Sequence, residues 1–105
     1  MGMRLVVART MEPAGFRLTG ELDVATAPQL TDALEPALRR GGDVTLDLSD
    51  LSFMDSTGLQ VLIGSAISLD GNGRIILRSP GNLVRTILEL AIHTDKLANL
   101  VVEDG

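Results

Sequence analysis

Two periods of apolar residues alternate along this chain, and this alternation limits the folds that the chain can adopt. In residues 16–22 and 44–48, apolar residues or glycine occupy every second position, which is the pattern of a half-buried strand. In residues 30–38 and 59–67, apolar residues recur three and four positions apart, which is the pattern of a helix with one buried face. Because strands connected through helices run in the same direction, we predict an α/β fold with parallel neighbouring strands.

The start of the chain adds a hairpin to this pattern. Residues 12–15, Glu-Pro-Ala-Gly, are turn formers that separate the apolar run 5–8 from the alternating residues 16–22. The whole chain, residues 1–105, is therefore predicted to be a single domain. Its mixed central β-sheet should contain four to five strands, a β-hairpin followed by parallel neighbours, together with three to four helices.

Residues typical of helix starts mark where the helices should begin. Thr26-x-x-Gln29 has the form of a capping box, which predicts the start of the first helix. Residues 49–54 are predicted to be a loop between a strand and the second helix. Ser79-Pro80 supplies a cap and a first-turn proline for a third helix.

The buried face of the third helix is predicted from its apolar spacing, and it consists of Leu83, Ile87, Leu90 and Ala91. Residues 100–102 are short and apolar. They are predicted to be either a last strand or part of a fourth short helix that starts near Thr94.

The composition of the chain argues against several classes of function. There is no cysteine and only one histidine, His93, so we expect no metal site. Residues 21–55 contain eight acidic residues against two arginines, which would repel nucleic acid, and no tryptophan or tyrosine offers a surface on which bases could stack. No apolar run is long enough for a membrane span, and the start lacks the apolar block of a signal peptide. We therefore expect a cytoplasmic protein without membrane or nucleic-acid contacts.

The segment 54–59, Met-Asp-Ser-Thr-Gly-Leu, places two hydroxyls where a strand should end and a helix should begin. If Asp55 is the N-cap, Ser56 and Thr57 occupy the first helical turn, beside unpaired N–H groups and the positive end of the helix dipole. A phosphoryl group on Ser56 would add about −1.5 to −2 charge there without disrupting the helix. A partner packed on this surface would experience the larger effect, so a switch in binding is the favoured outcome.

Four segments together resemble a known family. They are Gly-Glu-Leu-Asp at 20–23, Leu-Asp-Leu at 46–48, Phe-Met-Asp-Ser-Thr-Gly-Leu at 53–59, and Leu-Val-Arg-Thr-Ile-Leu-Glu-Leu at 83–90. On these segments the chain resembles a STAS domain, specifically one of the bacterial anti-sigma factor antagonists. The resemblance implies that the unphosphorylated protein binds an anti-sigma factor that is also a serine/threonine kinase, which releases a sigma factor for transcription. It also implies that phosphorylation of Ser56, or less readily Thr57, ends this binding, and that a serine phosphatase restores it.

The resemblance also suggests which residues meet the partner. Asp23 corresponds to a family position near the kinase contact, and Gln60 replaces a glycine that is frequent in the family. Gly64 inside the second helix indicates close approach by a neighbour, either a partner or the protein's own sheet. The complete predicted partner surface is Asp23, Asp55, Ser56, Thr57, Gly58, Gln60, Val61 and Gly64. We predict no catalytic residue, no cofactor and no metal ligand.

Several alternatives stay open from the sequence alone. Ser56 could simply be a serine in the first turn of a helix, without regulation, and Asp23 could simply be an acidic residue of a turn. Phe53 and Met54 are expected to be core residues. The chain could be a STAS module of another system, such as a lipid-transport complex, a sensory assembly or a small-ligand or nucleotide binder. A receiver-type phospho-aspartate domain fits less well, since the acidic pair and late lysine of that class are missing, and a hydrolase or transferase lacks a base to activate Ser56.

Overall fold

A computed structural model describes residues 4–95 and 97–104 of the chain, with the side chains of residues 93–95 outside this description. His93 is thus a candidate whose side chain lies outside the described residues. Over the described residues, five strands and three helices follow one another as β1 (Val6–Met11), β2 (Ala14–Leu22), α1 (Ala27–Arg40), β3 (Val44–Met54), α2 (Ser56–Leu69), β4 (Ile75–Arg78), α3 (Asn82–Asp95) and β5 (Leu100–Glu103). In this part of the chain, no helix is both long and apolar enough to cross a bilayer.

The five strands form one mixed sheet in the order β1-β2-β3-β4-β5. β1 and β2 are antiparallel and joined by a two-residue turn, as the predicted hairpin requires. β2, β3, β4 and β5 are parallel to one another, because each connection between them passes through a helix. The predicted α/β fold is therefore confirmed. Residues 100–102 belong to the last strand and not to a fourth helix.

One face of the sheet carries the hydrophobic core. Alternate side chains of the parallel strands, including Leu18, Leu46 and Leu77, are fully buried in a single cluster. All three helices contribute to the same cluster, through Leu34, Leu62 and Leu88 among others. The helices therefore cover the same face of the sheet, as right-handed crossovers between consecutive neighbouring strands require.

On the opposite face of the sheet, side chains of alternating charge form a row across four strands. The Arg17 guanidinium lies 3.3 Å from the Asp47 carboxylate, and the Arg78 guanidinium lies 3.3 Å from the Glu103 carboxylate. The hydroxyl of Ser49 donates to Asp47, and this bond, more than the one from Arg17, holds the pKa of the carboxyl below its usual value. These pairs are partly exposed, so each contributes at most about 1 kcal/mol to stability.

The predicted loop over residues 49–54 is wrong, because β3 continues without a break to Met54. This second half of the strand pairs with β2, but the register between β2 and β3 shifts twice, between Arg17 and Thr19 and again between Gly20 and Glu21. Such bulges disrupt the alternation of buried and exposed side chains on which strand prediction depends. They also correct the expectation for Phe53, which is 39% exposed, whereas Met54 is buried as expected.

The capping box predicted at the first helix does not form, although α1 does begin directly after Thr26. The Thr26 hydroxyl donates to the carbonyl of Glu21 at 2.9 Å instead of capping the helix. The Gln29 side-chain amide donates to the carbonyl of Leu5 at 2.8 Å, which connects α1 to the start of the hairpin. Both side chains thus form tertiary hydrogen bonds that a local motif cannot reveal.

The third helix begins later than predicted and buries a different face. Ser79 adopts a left-handed backbone conformation, and its N–H donates to the carbonyl of Glu103 at 2.8 Å, so it extends the pairing with β5. The helix starts at Asn82. Among its described side chains, Val84, Leu88 and Ala91 are buried, whereas Leu83 is 57% exposed and Leu90 67% exposed. Of the predicted face only Ala91 is buried and Ile87 half-buried, because adjacent stripes of this helix are equally apolar and packing on the sheet selects between them.

Candidate functional site

The start of α2 lies at the carboxyl ends of two parallel strands. β3 ends at Met54, and the next residue, Asp55, donates its N–H to the carbonyl of Leu22 at the end of β2, at 3.2 Å. The turn that follows β2 and the first turn of α2 are therefore neighbours. In open α/β sheets this end of the strands is where ligands and partners usually bind.

Asp55 is the N-cap of α2, as the sequence predicts. Its backbone is extended, and one carboxylate oxygen accepts hydrogen bonds from the N–H groups of Thr57 at 2.9 Å and Gly58 at 3.0 Å. Two of the four unpaired N–H groups at this helix end are satisfied in this way. Asp55 thus places a negative charge at the positive end of the helix dipole.

Ser56 is the first residue of α2 and its side chain is exposed. Within the described residues, no group forms a hydrogen bond with its hydroxyl. Thr57 is half-buried, so its hydroxyl is less accessible than that of Ser56. Of the two predicted phosphoacceptors, Ser56 is the more accessible to another protein.

Asp23 is held in the turn between β2 and α1. Its carboxylate accepts hydrogen bonds from the N–H groups of Ala25 at 3.0 Å and Thr26 at 3.1 Å, which gives structural support to its reading as a turn acid. It follows Leu22, whose carbonyl binds Asp55, so the structure brings Asp23 and the start of α2 together. Asp23 is half-buried and its remaining surface faces solvent.

The two glycines of α2 have opposite surroundings. Gly58 is buried, and a Cβ atom there would lie 2.6 Å from Cγ of Leu22, so the close approach is made by the protein's own sheet. Gly64 is exposed, and a Cβ atom there would meet no other atom within 4 Å. The protein's own sheet therefore does not explain Gly64, and the reading that involves a partner stays open.

A groove of about 310 Å³ runs between α1 and α2. From α2 it is lined by Gln60, Val61 and Gly64, and from α1 by Thr31, Leu34 and Leu38. Three of the predicted partner residues therefore share one concave surface, one to two helical turns beyond Ser56. Gln60 is exposed and Val61 half-buried.

Two exposed apolar side chains at this end of the sheet were not predicted as surface residues. Val24 is 71% exposed and stands in the turn beside Asp23, and Phe53 is exposed in β3 opposite Glu21 of β2. An apolar residue within a polar turn was a usable signal for Val24. No comparable signal existed for Phe53, because the bulges of β3 decide its orientation.

The titratable groups at this site show no arrangement for metal binding. Over the described residues, no three His, Cys, Asp or Glu side chains are grouped so that they could hold an ion. Asp55 is occupied by backbone N–H groups, as is Asp23. What the site offers chemically is an exposed hydroxyl, a capped helix start and an adjoining groove.

Replacing Asp55 with alanine is expected to destabilise the protein by about 0.5 to 2 kcal/mol, the usual cost of losing an N-cap. The reason is that the N–H groups of Thr57 and Gly58 lose their acceptor. Urea unfolding of Asp55→Ala, beside Asp55→Ser as a variant that can still cap, measures the effect. Equal stability of Asp55→Ala and the unaltered protein would show that the cap contributes nothing.

Comparison with protein families gives a match over nearly the whole chain. The family model described as "Mlab, STAS domain" matches residues 5–101. Among solved structures, the anti-sigma factor antagonist SpoIIAA in its unphosphorylated form has a TM-score of 0.64 and 25% identity, covering 88% of this chain and 97% of that chain. An anti-sigma factor antagonist from Mycobacterium paratuberculosis has a TM-score of 0.72, covering 95% of this chain and 86% of that one, and at 24% identity it supports the fold alone.

Several curated relatives of the chain are proteins named anti-sigma-B factor antagonist. That of Bacillus subtilis (strain 168) is 37% identical over 65 residues, which are 62% of this chain and 60% of the relative. That of Staphylococcus epidermidis is 41% identical over 59 residues, 55% of each chain. The chain thus spans about 60% or less of the length of these relatives.

Proposed function

Because this chain belongs to the STAS domain family, we propose that it is an anti-sigma factor antagonist that works by partner switching. In this proposal the unphosphorylated protein binds an anti-sigma factor serine/threonine kinase and thereby releases a sigma factor. Phosphorylation of Ser56 ends the binding, and a serine phosphatase restores it. The protein is then a binding protein that catalyses no reaction. It acts in the cytoplasm, which contains the ATP that the kinase uses and the RNA polymerase that the sigma factor binds. The names of the curated relatives support this class of function.

The observation that carries the proposal is the exposed Ser56 hydroxyl at the first position of α2. A kinase must bring this oxygen to the γ-phosphate of ATP, so the hydroxyl has to be accessible and without a competing intramolecular partner. Ser56 meets both conditions within the described residues. Thr57 is half-buried and meets the first condition less well.

The capping by Asp55 explains how one phosphate can alter binding without altering the fold. The N–H groups of Thr57 and Gly58 already donate to Asp55, so a phosphate on Ser56 finds these donors occupied. The helix dipole offers the phosphate roughly 0.3 to 2 kcal/mol, partly offset by repulsion from Asp55. The added charge therefore projects toward whatever covers this end of the sheet.

The partner surface in this proposal extends from Asp23 through the start of α2 to the groove between α1 and α2. The exposed side chain of Gln60 and the open space above Gly64 lie on it. A helix or loop of the kinase that entered this groove would lie close to Ser56. Binding and phosphorylation would then use the same contact.

Incubation of the protein with ATP and each candidate anti-sigma kinase from its own organism tests the proposal. We expect one phosphate per chain, located on Ser56 by tandem mass spectrometry. Ser56→Ala should remain unmodified, and Thr57→Val, a matched variant at the next position, should still be phosphorylated. A phosphate found on Thr57 in the unaltered protein would overturn the assignment of the site, and no phosphate with any kinase would overturn the partner class.

A STAS module of another system is the second candidate, because the matching family model is described as "Mlab, STAS domain". In that case the same surface would bind a partner that is not a kinase. Affinity purification from the native organism distinguishes the two. A stable complex without a kinase, insensitive to Ser56→Glu, supports the second candidate.

A further inference from the structure

A second concave site lies at the other end of the sheet from Ser56. It is a cavity of about 350 Å³ between the hairpin turn and the C-terminal half of α1. It opens beside the first residues of β2 and β3, whereas Ser56 lies two residues after the end of β3. The residues that define it are Arg9, Met11, Phe16, Ala33, Ala37 and Arg40.

The floor of this cavity is apolar. Phe16, Ala37 and Val44 line it and are buried. Ala33 and Ala37 lie one turn apart on α1, and their small side chains leave the space open between the helix and the hairpin. At about 350 Å³ the cavity is at the lower end of the range of roughly 300 to 1,000 Å³ typical of small-molecule sites.

The rim of the cavity carries two arginines, Arg9 and Arg40, with unpaired charges. Within the described residues neither guanidinium has a hydrogen-bond or ion-pair partner. The remaining lining charge, Asp43, binds the Arg74 guanidinium at 2.8 Å and the Arg74 N–H at 3.0 Å, and these bonds hold the pKa of its carboxyl below the usual value.

Most of the other described arginines behave differently. Among the described residues, those that form ion pairs with carboxylates are Arg17, Arg39, Arg74, Arg78 and Arg85. Arg4 also forms no such pair with a described residue, but it does not line the cavity. In a chain with a formal net charge of −5, two guanidinium groups that line one cavity without a carboxylate partner are unusual. Their positive charge at the mouth of an apolar cavity is complementary to an anion that carries an apolar tail.

We propose that this cavity binds a small amphipathic carboxylate, of the size of a medium-chain fatty acid. The carboxylate would pair with Arg9 and Arg40, since guanidinium groups match carboxylates with two parallel hydrogen bonds. The alkyl chain would cover Phe16 and the two alanines of α1. The site does not share a residue with the surface around Ser56, so it would operate whether or not the chain is an anti-sigma factor antagonist.

Titration with octanoate, followed by ¹H–¹⁵N NMR of the full chain, tests this proposal. We expect saturable shifts at residues of the cavity, such as Gly15, Phe16 and Ala37, at millimolar octanoate or below. Octan-1-ol and octylamine, which have the same alkyl chain with a neutral or a positive head group, should bind at least about tenfold more weakly because they cannot pair with guanidinium groups.

Two variants distinguish specific binding in this cavity from nonspecific binding of octanoate to the protein surface. The double variant Arg9→Gln/Arg40→Gln should weaken octanoate binding at least about tenfold. Arg39→Gln is the matched control, since Arg39 lies next to Arg40, is equally positive, pairs with Glu35 and does not line the cavity. All three side chains are exposed, so these variants should fold.

The proposal has definite failing outcomes. Equal binding of octanoate and octan-1-ol would show that the arginines do not recognise the carboxylate. If Arg39→Gln weakened octanoate binding as much as the double variant does, the effect would come from the net charge of the protein and not from Arg9 and Arg40. Shifts confined to the surface around Ser56, or no shifts at millimolar octanoate, would place no carboxylate site in this cavity.

Discussion

Replacing Ser56 with glutamate is expected to weaken binding to the anti-sigma factor kinase at least about a hundredfold, whereas Ser56→Ala should bind with nearly the original affinity. A like charge or an unpaired charge forced into an interface costs several kcal/mol, and each 1.4 kcal/mol corresponds to about tenfold in affinity. Ser56 is exposed at the start of α2, beside the proposed contact surface, so the added carboxylate would enter that interface directly.

The stability of the Ser56→Glu protein should change by less than about 1 kcal/mol, because an acidic residue in the first turn of a helix is tolerated by the dipole. Calorimetry of binding and thermal unfolding of the same samples measure the two quantities separately. Asn82→Glu is a matched control, since Asn82 is the exposed first residue of α3 and the change adds the same charge. If Ser56→Glu bound the kinase as tightly as the unaltered protein, phosphorylation at this residue could not be the switch.

Substituting alanine at the two glycines of α2 is expected to change stability in opposite directions. Gly58→Ala should destabilise by about 1 to 3 kcal/mol, because the new methyl group overpacks the core. It would lie 2.6 Å from Cγ and 3.0 Å from the carbonyl oxygen of Leu22, which is fully buried and has no room to move aside. Gly64→Ala should stabilise by up to about 1 kcal/mol, since its methyl group meets nothing and alanine favours the helix.

Chemical denaturation of the two variants, beside the unaltered protein, measures this difference directly. Destabilisation by Gly64→Ala, or stabilisation by Gly58→Ala, would contradict the packing around the start of α2. The affinity of the Gly64→Ala variant for the kinase tests whether Gly64 also lies on the partner surface. Weaker binding together with higher stability would assign Gly64 to the partner surface.

Two features of the start of α2 could be predicted from the sequence because they depend on local chemistry. The cap by Asp55 and the first-turn position of Ser56 follow from residues within four positions of one another. The juxtaposition with Asp23 depends on topology, since the carboxyl ends of parallel neighbours meet at one edge of the sheet. The sequence did not reveal that Gly58 packs on Leu22 or that Phe53 is exposed, because both depend on the bulged register between β2 and β3.

The sequence by itself determined the order of the elements from the hairpin to the third helix and the start of α2, because these follow from hydrophobic period, turn residues and capping over short distances. It left residues 100–102 open between a strand and a helix, and the structure places them in β5. The tertiary structure alone decided which stripe of α3 is buried, how far β3 extends, and what the side chains of Thr26 and Gln29 bind. It also decided that Arg9 and Arg40, far apart in sequence, share one cavity. In each of these cases local patterns allowed more than one outcome, and packing between distant segments selected one of them.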